Sequence, residues 1–275
     1  MKGRLPNLIV IGAMKAGTTS LHNYLGKHPD IFMSTPKEIH YYSDDGQLKW
    51  TKERYMSHFI TSKKIAGTSP QSYSKCHNKY YQNIPERIYK DTPNVKLVYL
   101  LRNPIERYKS HILESYHCDP IVDIEYSKES GNYWKTSLYG TQLQQYLKYF
   151  SIDQIQVITI EELNENPLAV MNQLFDFLEI SPLQDESLFQ EVKNSAFTKG
   201  IPRVIKAHIF YRMGKKVSKA YTEKVAKKIA TKFYSEQLKK PQLSEMESKR
   251  LQNIFREDLV LLSQLTKRDF SKWNI

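Results

Sequence analysis

Near its start the chain reads Leu8-Ile9-Val10-Ile11-Gly12-Ala13-Met14-Lys15-Ala16-Gly17-Thr18-Thr19-Ser20-Leu21. The opening apolar run, mostly β-branched, is typical of a buried strand, and an amphipathic stretch follows the second glycine. Between them lies a loop with two glycines and one lysine, followed by three consecutive hydroxyl residues. Such a strand–loop–helix unit directs backbone amides and a helix N-terminus toward an anion, and Lys15 adds a full positive charge. The sequence therefore predicts a phosphate-binding loop.

This loop differs from the common nucleotide-triphosphate loop, G-x-x-x-x-G-K-[ST]. Gly12 and Gly17 keep the spacing, but Thr18 occupies the position of the lysine, and the lysine lies inside the loop as Lys15. No strand that ends in a magnesium-binding aspartate is evident in the following part of the sequence. A metal-dependent NTPase is therefore disfavoured, and we expect no metal ion. A glycine-rich turn that binds nothing is the alternative, and the K-x-G-T-T-S pattern argues against it.

A second motif lies in the segment 97–110, which reads LVYLLRNPIERYKS and places Ser110 eight residues after Arg102. Together with the loop, this motif resembles those of the sulfotransferases that use 3′-phosphoadenosine 5′-phosphosulfate (PAPS). The resemblance implies that Arg102 and Ser110 hold the 3′-phosphate. It also implies that the 5′-phosphosulfate is bound by the loop residues Lys15, Ala16, Gly17, Thr18, Thr19 and Ser20.

A candidate general base lies in the segment 36–42, which reads PKEIHYY. It resembles the K-E-x-H-[FY]-[FY] segment of the sulfotransferases that act on heparan sulfate and of many bacterial relatives. That resemblance implies that Glu38 deprotonates the acceptor. We expect Lys15 to stabilise the leaving group, because a lysine ammonium can follow a charge as it moves. Two alternatives stay open: Glu38 forms an ordinary loop ion pair with Lys37, or His40 is the base, as a histidine is in cytosolic members that act on phenols and steroids.

A third family block, often G-E-x-[ST]-P-x-Y, is altered in the segment 66–73, which reads AGTSPQSY. Gly67 occupies the acidic position, and Thr68 or Ser69 replaces a lysine that the heparan sulfate enzymes carry. This departure argues against heparan sulfate itself as the acceptor. Further along the chain, Lys199 and Arg203 are weaker candidates to close over the 3′-phosphate of the nucleotide.

The positive charge of the chain, +12 in total, is concentrated in the segment 199–240. This segment contains thirteen lysines and arginines but only two acidic residues, and its apolar residues recur at helical spacing. Three interpretations of this segment stay open: it binds an anionic acceptor such as a glycan, it contacts anionic lipid, or it packs an apolar stripe on the core with its lysines in solvent. No zinc-finger, helix-turn-helix or RNP-like motif indicates a nucleic-acid partner.

Strand patterns alternate with helical patterns along most of the chain, which predicts a parallel sheet with crossover helices. We expect an α/β, P-loop-type three-layer fold with a central parallel sheet flanked by helices, a helical C-terminal part and a single domain over 1–275. The stretch 117–136 is polar and is expected to be an irregular acceptor-side loop. The patterns predict strands at 7–12, 31–33, 64–66, 95–101 and 155–160, helices at 18–27, 49–60, 78–90, 104–115, 138–150, 167–178 and 185–193, and a helical segment over 203–270.

The sequence thus favours transfer of the sulfuryl group from PAPS to a hydroxyl, or an amine, of a glycan or glycolipid, which releases adenosine 3′,5′-bisphosphate (PAP). The alternatives are a small-molecule alcohol or phenol sulfotransferase, a P-loop kinase or other NTPase, and a non-enzymatic binding protein. Only two cysteines occur, Cys76 and Cys118, and no apolar run approaches the roughly 20 residues of a membrane-spanning helix. We therefore expect a cytoplasmic enzyme, whose basic segment allows peripheral membrane contact.

Overall fold

A computed structural model describes the residues 2–43, 50–118, 129–190 and 242–275, together with the isolated positions 218, 221, 222 and 225; for 116–118 it describes the backbone alone. The five strands of this part of the chain are Leu8–Gly12 (β1), Ile31–Met33 (β2), Ile65–Thr68 (β3), Lys96–Leu101 (β4) and Ile155–Thr159 (β5). They form one sheet in the order β2-β3-β1-β4-β5, and all of its pairings are parallel.

The helices connect the strands and continue beyond the last one. Those described are Thr18–Leu25 (α1), Lys52–Met56 (α2), Ile84–Asp91 (α3), Pro104–Cys118 (α4), Asn132–Lys135 (α5), Tyr139–Tyr146 (α6), Ile160–Glu165 (α7), Pro167–Phe177 (α8) and Glu245–Thr266 (α9). Short 3-10 turns span Ile152–Gln154, Glu186–Phe189 and Ser271–Trp273. None of the described helices has the length and the apolar character needed to cross a bilayer.

The central strand β1 is buried along its whole length, as is expected for a parallel sheet covered on both faces. Ile9 pairs with Thr68 of β3 on one side and with Leu97 of β4 on the other. After β1 the chain runs to the β2 edge, and after β3 it crosses back to form β4 and β5. The carboxyl end of β1 is therefore the point where the strand order reverses, which is where open α/β sheets bind ligands.

The α/β fold class is confirmed, whereas several predicted helix boundaries are corrected by local capping. The helix predicted at 49–60 is shorter, because the Thr51 hydroxyl accepts a hydrogen bond from the Arg54 amide (3.2 Å) and starts α2 at Lys52. The helix predicted at 78–90 begins only at Ile84, because Asn83 adopts a left-handed conformation with φ of 60°.

Helix α7 was missed, since its capping residue also ends a strand. Thr159 closes β5, and its hydroxyl accepts from the Glu162 amide (3.1 Å) while the Glu162 carboxylate accepts from the Thr159 amide (3.0 Å). The helix predicted at 185–193 is a 3-10 turn in its described part, because the Asp185 carboxylate accepts from the Ser187 amide (2.9 Å).

The polar stretch predicted to be irregular, 117–136, contains the short helix α5, and its residues 119–128 lie outside the described part of the chain. Within the predicted helical segment 203–270, the structure describes α9. The basic segment 199–240 lies outside the described residues apart from the isolated positions given above.

Candidate active site

The loop that leaves β1 requires glycine at its two ends. Gly17 has a φ of 99°, and a Cβ atom there would lie 2.6 Å from Ile160 Cδ1. At Gly12, with a φ of 154°, a Cβ atom would lie 2.2 Å from Ser74 Oγ. Lys15 also adopts a left-handed conformation, with a φ of 68°. The loop therefore follows a tight path that most side chains would obstruct.

Helix α1 begins directly after this loop and offers backbone donors. Its N-cap residue is Gly17, which has no side chain to cap the helix. The Gly17 carbonyl accepts hydrogen bonds from the amides of Ser20 (3.0 Å) and Leu21 (3.3 Å). The amides of Thr18 and Thr19 belong to the first turn, where no intrahelical acceptor exists. An anion can therefore bind at this helix N-terminus.

Two arginines support the loop from its α4 side. Arg102, directly after β4, donates from Nη1 to the Lys15 carbonyl (3.3 Å). Arg107 is fully buried on α4 and donates to the Met14 carbonyl (3.4 Å). Ser110 lies further along α4 and is 6% exposed. The structure thus places Arg102 beside the loop, and it gives Arg107 a supporting contact that the sequence did not reveal.

Lys15 has a carboxylate partner that sequence reasoning missed. Its Nζ lies 3.0 Å from Glu114 Oε1, and both side chains are largely buried, at 18% and 25% exposure. Glu114 is four residues after Ser110, so both project from the same face of α4. That four-residue spacing was the one feature of the sequence that could have indicated Glu114 as a site residue. It does not reveal which distant cation pairs with the glutamate.

The segment that contains Glu38 contacts the phosphate loop through Lys37. Lys37 Nζ donates to Thr18 Oγ1 (3.3 Å) and lies 2.9 Å from Glu38 Oε1, while His40 Nε2 lies 3.6 Å from Glu38 Oε2. Burial alone would raise the pKa of Glu38, but hydrogen bonds from His40 and Lys37 and the charge of Lys37 lower it below its ordinary value. The carboxylate is therefore ionised at neutral pH and can accept a proton.

The altered block at 66–73 is hydrogen-bonded to the segment that contains Glu38. The Ser69 amide (3.0 Å) and the Thr68 hydroxyl (3.2 Å) both donate to the Lys37 carbonyl. Ser69 Oγ also lies 2.9 Å from His22 Nδ1, and burial, with the charge of Lys37, lowers the pKa of His22 to about 4. A Cβ atom at position 67 would lie 2.6 Å from the Met33 sulfur. Thr68 and Ser69 therefore hold the backbone of Lys37, next to Glu38, and position 67 has no room for a larger side chain.

Lys75 is a further cation at the site, and nothing in its local sequence indicated it. It is 7% exposed, and Glu114 and Glu38 both act on its charge. The two late candidates, Lys199 and Arg203, lie outside the described residues. Within the described ranges, no three His, Cys, Asp or Glu side chains are grouped so as to hold a metal ion.

Comparison with known proteins identifies the family. The model of the sulfotransferase domain matches residues 5–263. Heparan sulfate glucosamine 3-O-sulfotransferase 5 from Homo sapiens is 29% identical over 196 residues, which cover 65% of this chain and 55% of the relative. Membrane-associated sulfotransferase kil1 from Dictyostelium discoideum is 37% identical over 120 residues, which cover 41% of this chain and 23% of the relative. The chain spans about half, or less, of the length of these relatives.

The fold is shared with a solved structure. The crystal structure of a sulfotransferase from Alicyclobacillus acidocaldarius matches with a TM-score of 0.66 at 21% identity, over 99% of this chain and 100% of the other. The family match extends over almost the whole sequence and includes the phosphate loop, the Glu38 segment and the motif at 102–110. The chain therefore belongs to the sulfotransferase domain family.

Proposed function

We propose that this protein transfers the sulfuryl group of PAPS to a hydroxyl of a carbohydrate acceptor. The observation that carries the proposal is the contact between Lys37 and Thr18, which holds an ionised glutamate beside a phosphate-binding loop. A candidate base for the acceptor and a phosphate-binding loop for the donor therefore lie in one site. Family membership supports the reaction type.

The donor end of the site suits a nucleotide that carries phosphate at both its 3′ and 5′ positions. The first-turn amides of α1 and the ammonium of Lys15 suit the 5′-phosphosulfate, because both favour an anion at that place. Arg102 and Ser110 suit the 3′-phosphate, since a guanidinium offers a planar pair of donors to phosphate oxygens. This division of roles follows the family resemblance and the neighbouring positions of the two motifs.

In the proposed reaction, Glu38 accepts the proton of the acceptor hydroxyl as its oxygen attacks sulfur. A new bond forms between the acceptor oxygen and sulfur, and the bond from sulfur to the 5′-phosphate oxygen breaks with its electron pair staying on phosphate. Lys15 and the loop amides stabilise the charge that grows on that oxygen. The products are the sulfated acceptor and PAP.

The carbohydrate acceptor is proposed on two grounds. The relative from Homo sapiens is named for sulfation of heparan sulfate glucosamine, and the net charge of +12 favours association with acidic polymers. The altered block at 66–73 favours an acceptor other than heparan sulfate itself, because Thr68 or Ser69 replaces the lysine that the resembling heparan sulfate enzymes carry. Radiolabelled PAPS and a panel of glycans, glycolipids and small alcohols will identify the acceptor.

The substitution Glu38→Gln tests the proposed base. We expect turnover to fall by about 10²–10⁴-fold, because general-base catalysis contributes this much, while PAP binding measured by calorimetry stays within about twofold. Glu245→Gln is the matched control, since Glu245 is 82% exposed and pairs only with Lys249 among the residues described. Near-wild-type turnover of Glu38→Gln would contradict the assignment and make His40 the next candidate.

A further inference from the structure

Lys75 directly follows Ser74, which contacts the end of β1, but it has a role in neither motif. The preceding amide, that of Ser74, donates to the Ile11 carbonyl near the end of β1 (2.9 Å). Lys75 is buried, at 7% exposure. A lysine so deeply buried is almost always paired with a carboxylate.

Lys75 has no such partner. Within the part of the chain that the structure describes, no carboxylate lies within 4.0 Å of its Nζ and no acceptor is hydrogen-bonded to it. The neighbouring Arg107 is fully buried, and its acceptors are all uncharged: Ser137 Oγ, Met14 O, Tyr133 O and His111 Nδ1. Two buried cations thus share a region in which neither has a carboxylate at ion-pair distance among the residues that the structure describes.

The charges around Lys75 come from several elements. Burial and then the positive charge of Arg107 lower the pKa of Lys75 to about 8, while the carboxylates of Glu114 and Glu38 act in the opposite direction. Burial also keeps His77 and His111 neutral, because it lowers the pKa of both. Lys75 therefore lies within electrostatic reach of the Glu38 carboxylate and of the carboxylate that holds Lys15.

We propose that Lys75 binds an oxygen of the sulfuryl group that passes from donor to acceptor. The inference rests on the proposed function. Of the three lysines described at the site, Lys15 lies 3.0 Å from Glu114 and Lys37 lies 2.9 Å from Glu38, whereas Lys75 has no carboxylate at ion-pair distance among the described residues. Buried charges require compensation, and a sulfuryl oxygen supplies it without removing either catalytic ion pair.

Calorimetry with PAPS and with PAP tests the proposal without an acceptor, because the two nucleotides differ by the sulfuryl group. We expect Lys75→Met to weaken PAPS binding by about tenfold or more, since a charged hydrogen bond is lost, and to leave PAP binding within about twofold. Lys79→Met is the matched control, because Lys79 is exposed and lies four residues further on. Equal weakening of both nucleotides, or of neither, would overturn the assignment.

Two further readouts separate this role from a structural one. Lys75→Met removes an unpaired buried charge, so the melting temperature is expected to stay the same or rise; a fall of several degrees would mean that Lys75 is structural.

In the wild type, the preference for PAPS over PAP is expected to weaken as the pH rises from 7 to 9, because Lys75 loses its proton in that range while Arg107, whose pKa is lowered only to about 10, stays charged. In Lys75→Met this slope should be absent.

The arms also distinguish failure of the inference from failure of the proposed function. Wild-type protein that binds PAPS no better than adenosine 5′-monophosphate would contradict the proposed function itself. Suppose instead that the wild-type protein binds PAPS and transfers its sulfuryl group, and that Lys75→Met lowers turnover only with acceptors that already carry sulfate. Lys75 would then bind the acceptor, which would overturn the inference and leave the proposed function intact.

Discussion

At the scale of single residues, Arg102 should determine whether the protein recognises a 3′-phosphate. The substitution Arg102→Ala is expected to weaken PAP binding by about 10- to 100-fold, because hydrogen bonds to charged groups contribute about 1.5–3 kcal/mol. Binding of adenosine 5′-monophosphate, which lacks the 3′-phosphate, should change little. Calorimetric titration of both nucleotides into both proteins measures the discrimination directly.

Arg250→Ala is the control for Arg102→Ala, since Arg250 is an exposed arginine on α9. An equal loss of affinity for both nucleotides in Arg102→Ala would mean that the arginine acts through the loop. That result would point to the bond from Arg102 to the Lys15 carbonyl rather than to a phosphate contact.

Candidate residues in local motifs could be named from the sequence, while their distant partners could not. Glu38 and Arg102 lie in short segments that resemble motifs of the family, and that resemblance is the signal. Glu114 meets a lysine 99 residues away, and that contact depends on β1 and β4 being neighbours in the sheet. Lysine is usually a surface residue, and only the packed structure shows that Lys75 is 7% exposed and has no carboxylate at ion-pair distance among the described residues.

At the scale of elements, the start of α1 depends on the conformation of Gly17. Gly17→Ala places a Cβ atom at a φ of 99°, 2.6 Å from Ile160. We expect a loss of about 1–2 kcal/mol in the free energy of unfolding, because L-residues are strained in the left-handed region. PAP binding should weaken as well, since the first-turn amides of α1 move with the strained residue. Urea denaturation and calorimetry measure the two effects.

Gly26→Ala is the matched control at the other end of the same helix. Gly26 has an ordinary helical conformation, with a φ of −67°, and a Cβ atom there would be 3.6 Å from the nearest carbonyl oxygens. This variant should be neutral or more stable by up to about 1 kcal/mol, because alanine restricts the unfolded chain. Identical behaviour of the two variants would mean that the left-handed glycine is not required.

Elements with strong periodicity were predictable, and those set by caps were not. The apolar runs of β1 and β4 announce buried strands, because parallel strands are apolar on both faces. Helix α7 was hidden, because Thr159 ends a strand and caps a helix at the same time. Side-chain caps such as Thr51 act over two or three residues, which a pattern read over a longer window does not resolve.

At the scale of the whole molecule, Asp258 joins the C-terminal helix α9 to the sheet-bearing part. Its carboxylate accepts from the amides of Gly140 and Thr141, both at 2.8 Å, and from the Thr141 hydroxyl at 2.7 Å. Helices α6 and α9 approach so closely that a Cβ atom at Gly140 of α6 would lie 2.7 Å from the Asp258 carbonyl oxygen of α9. Asp258→Ala is expected to destabilise the protein by about 2–3 kcal/mol, because buried donors lose their acceptor.

Urea denaturation of Asp258→Ala, compared with Asp176→Ala at an exposed position, measures this loss. Burial raises the pKa of Asp258 despite its hydrogen bonds. The native state therefore keeps the proton of Asp258 to a higher pH than the unfolded state. The contribution of this proton to the free energy of unfolding falls as the pH rises through the raised pKa. That slope should be missing from the variant. Equal stability of both variants would show that α9 is held by its apolar face alone.

We expect the hydrogen bond from Lys37 to the Thr18 hydroxyl to make donor and acceptor binding interdependent. The Thr18 hydroxyl accepts from Lys37 and keeps its own proton to donate to a nucleotide phosphate, so we expect a bound phosphate to alter the hydrogen bond of the lysine beside Glu38. By thermodynamic reciprocity, the factor by which the nucleotide changes acceptor affinity equals the factor by which the acceptor changes nucleotide affinity. We therefore expect a single lysine to couple the binding of the two substrates at equilibrium.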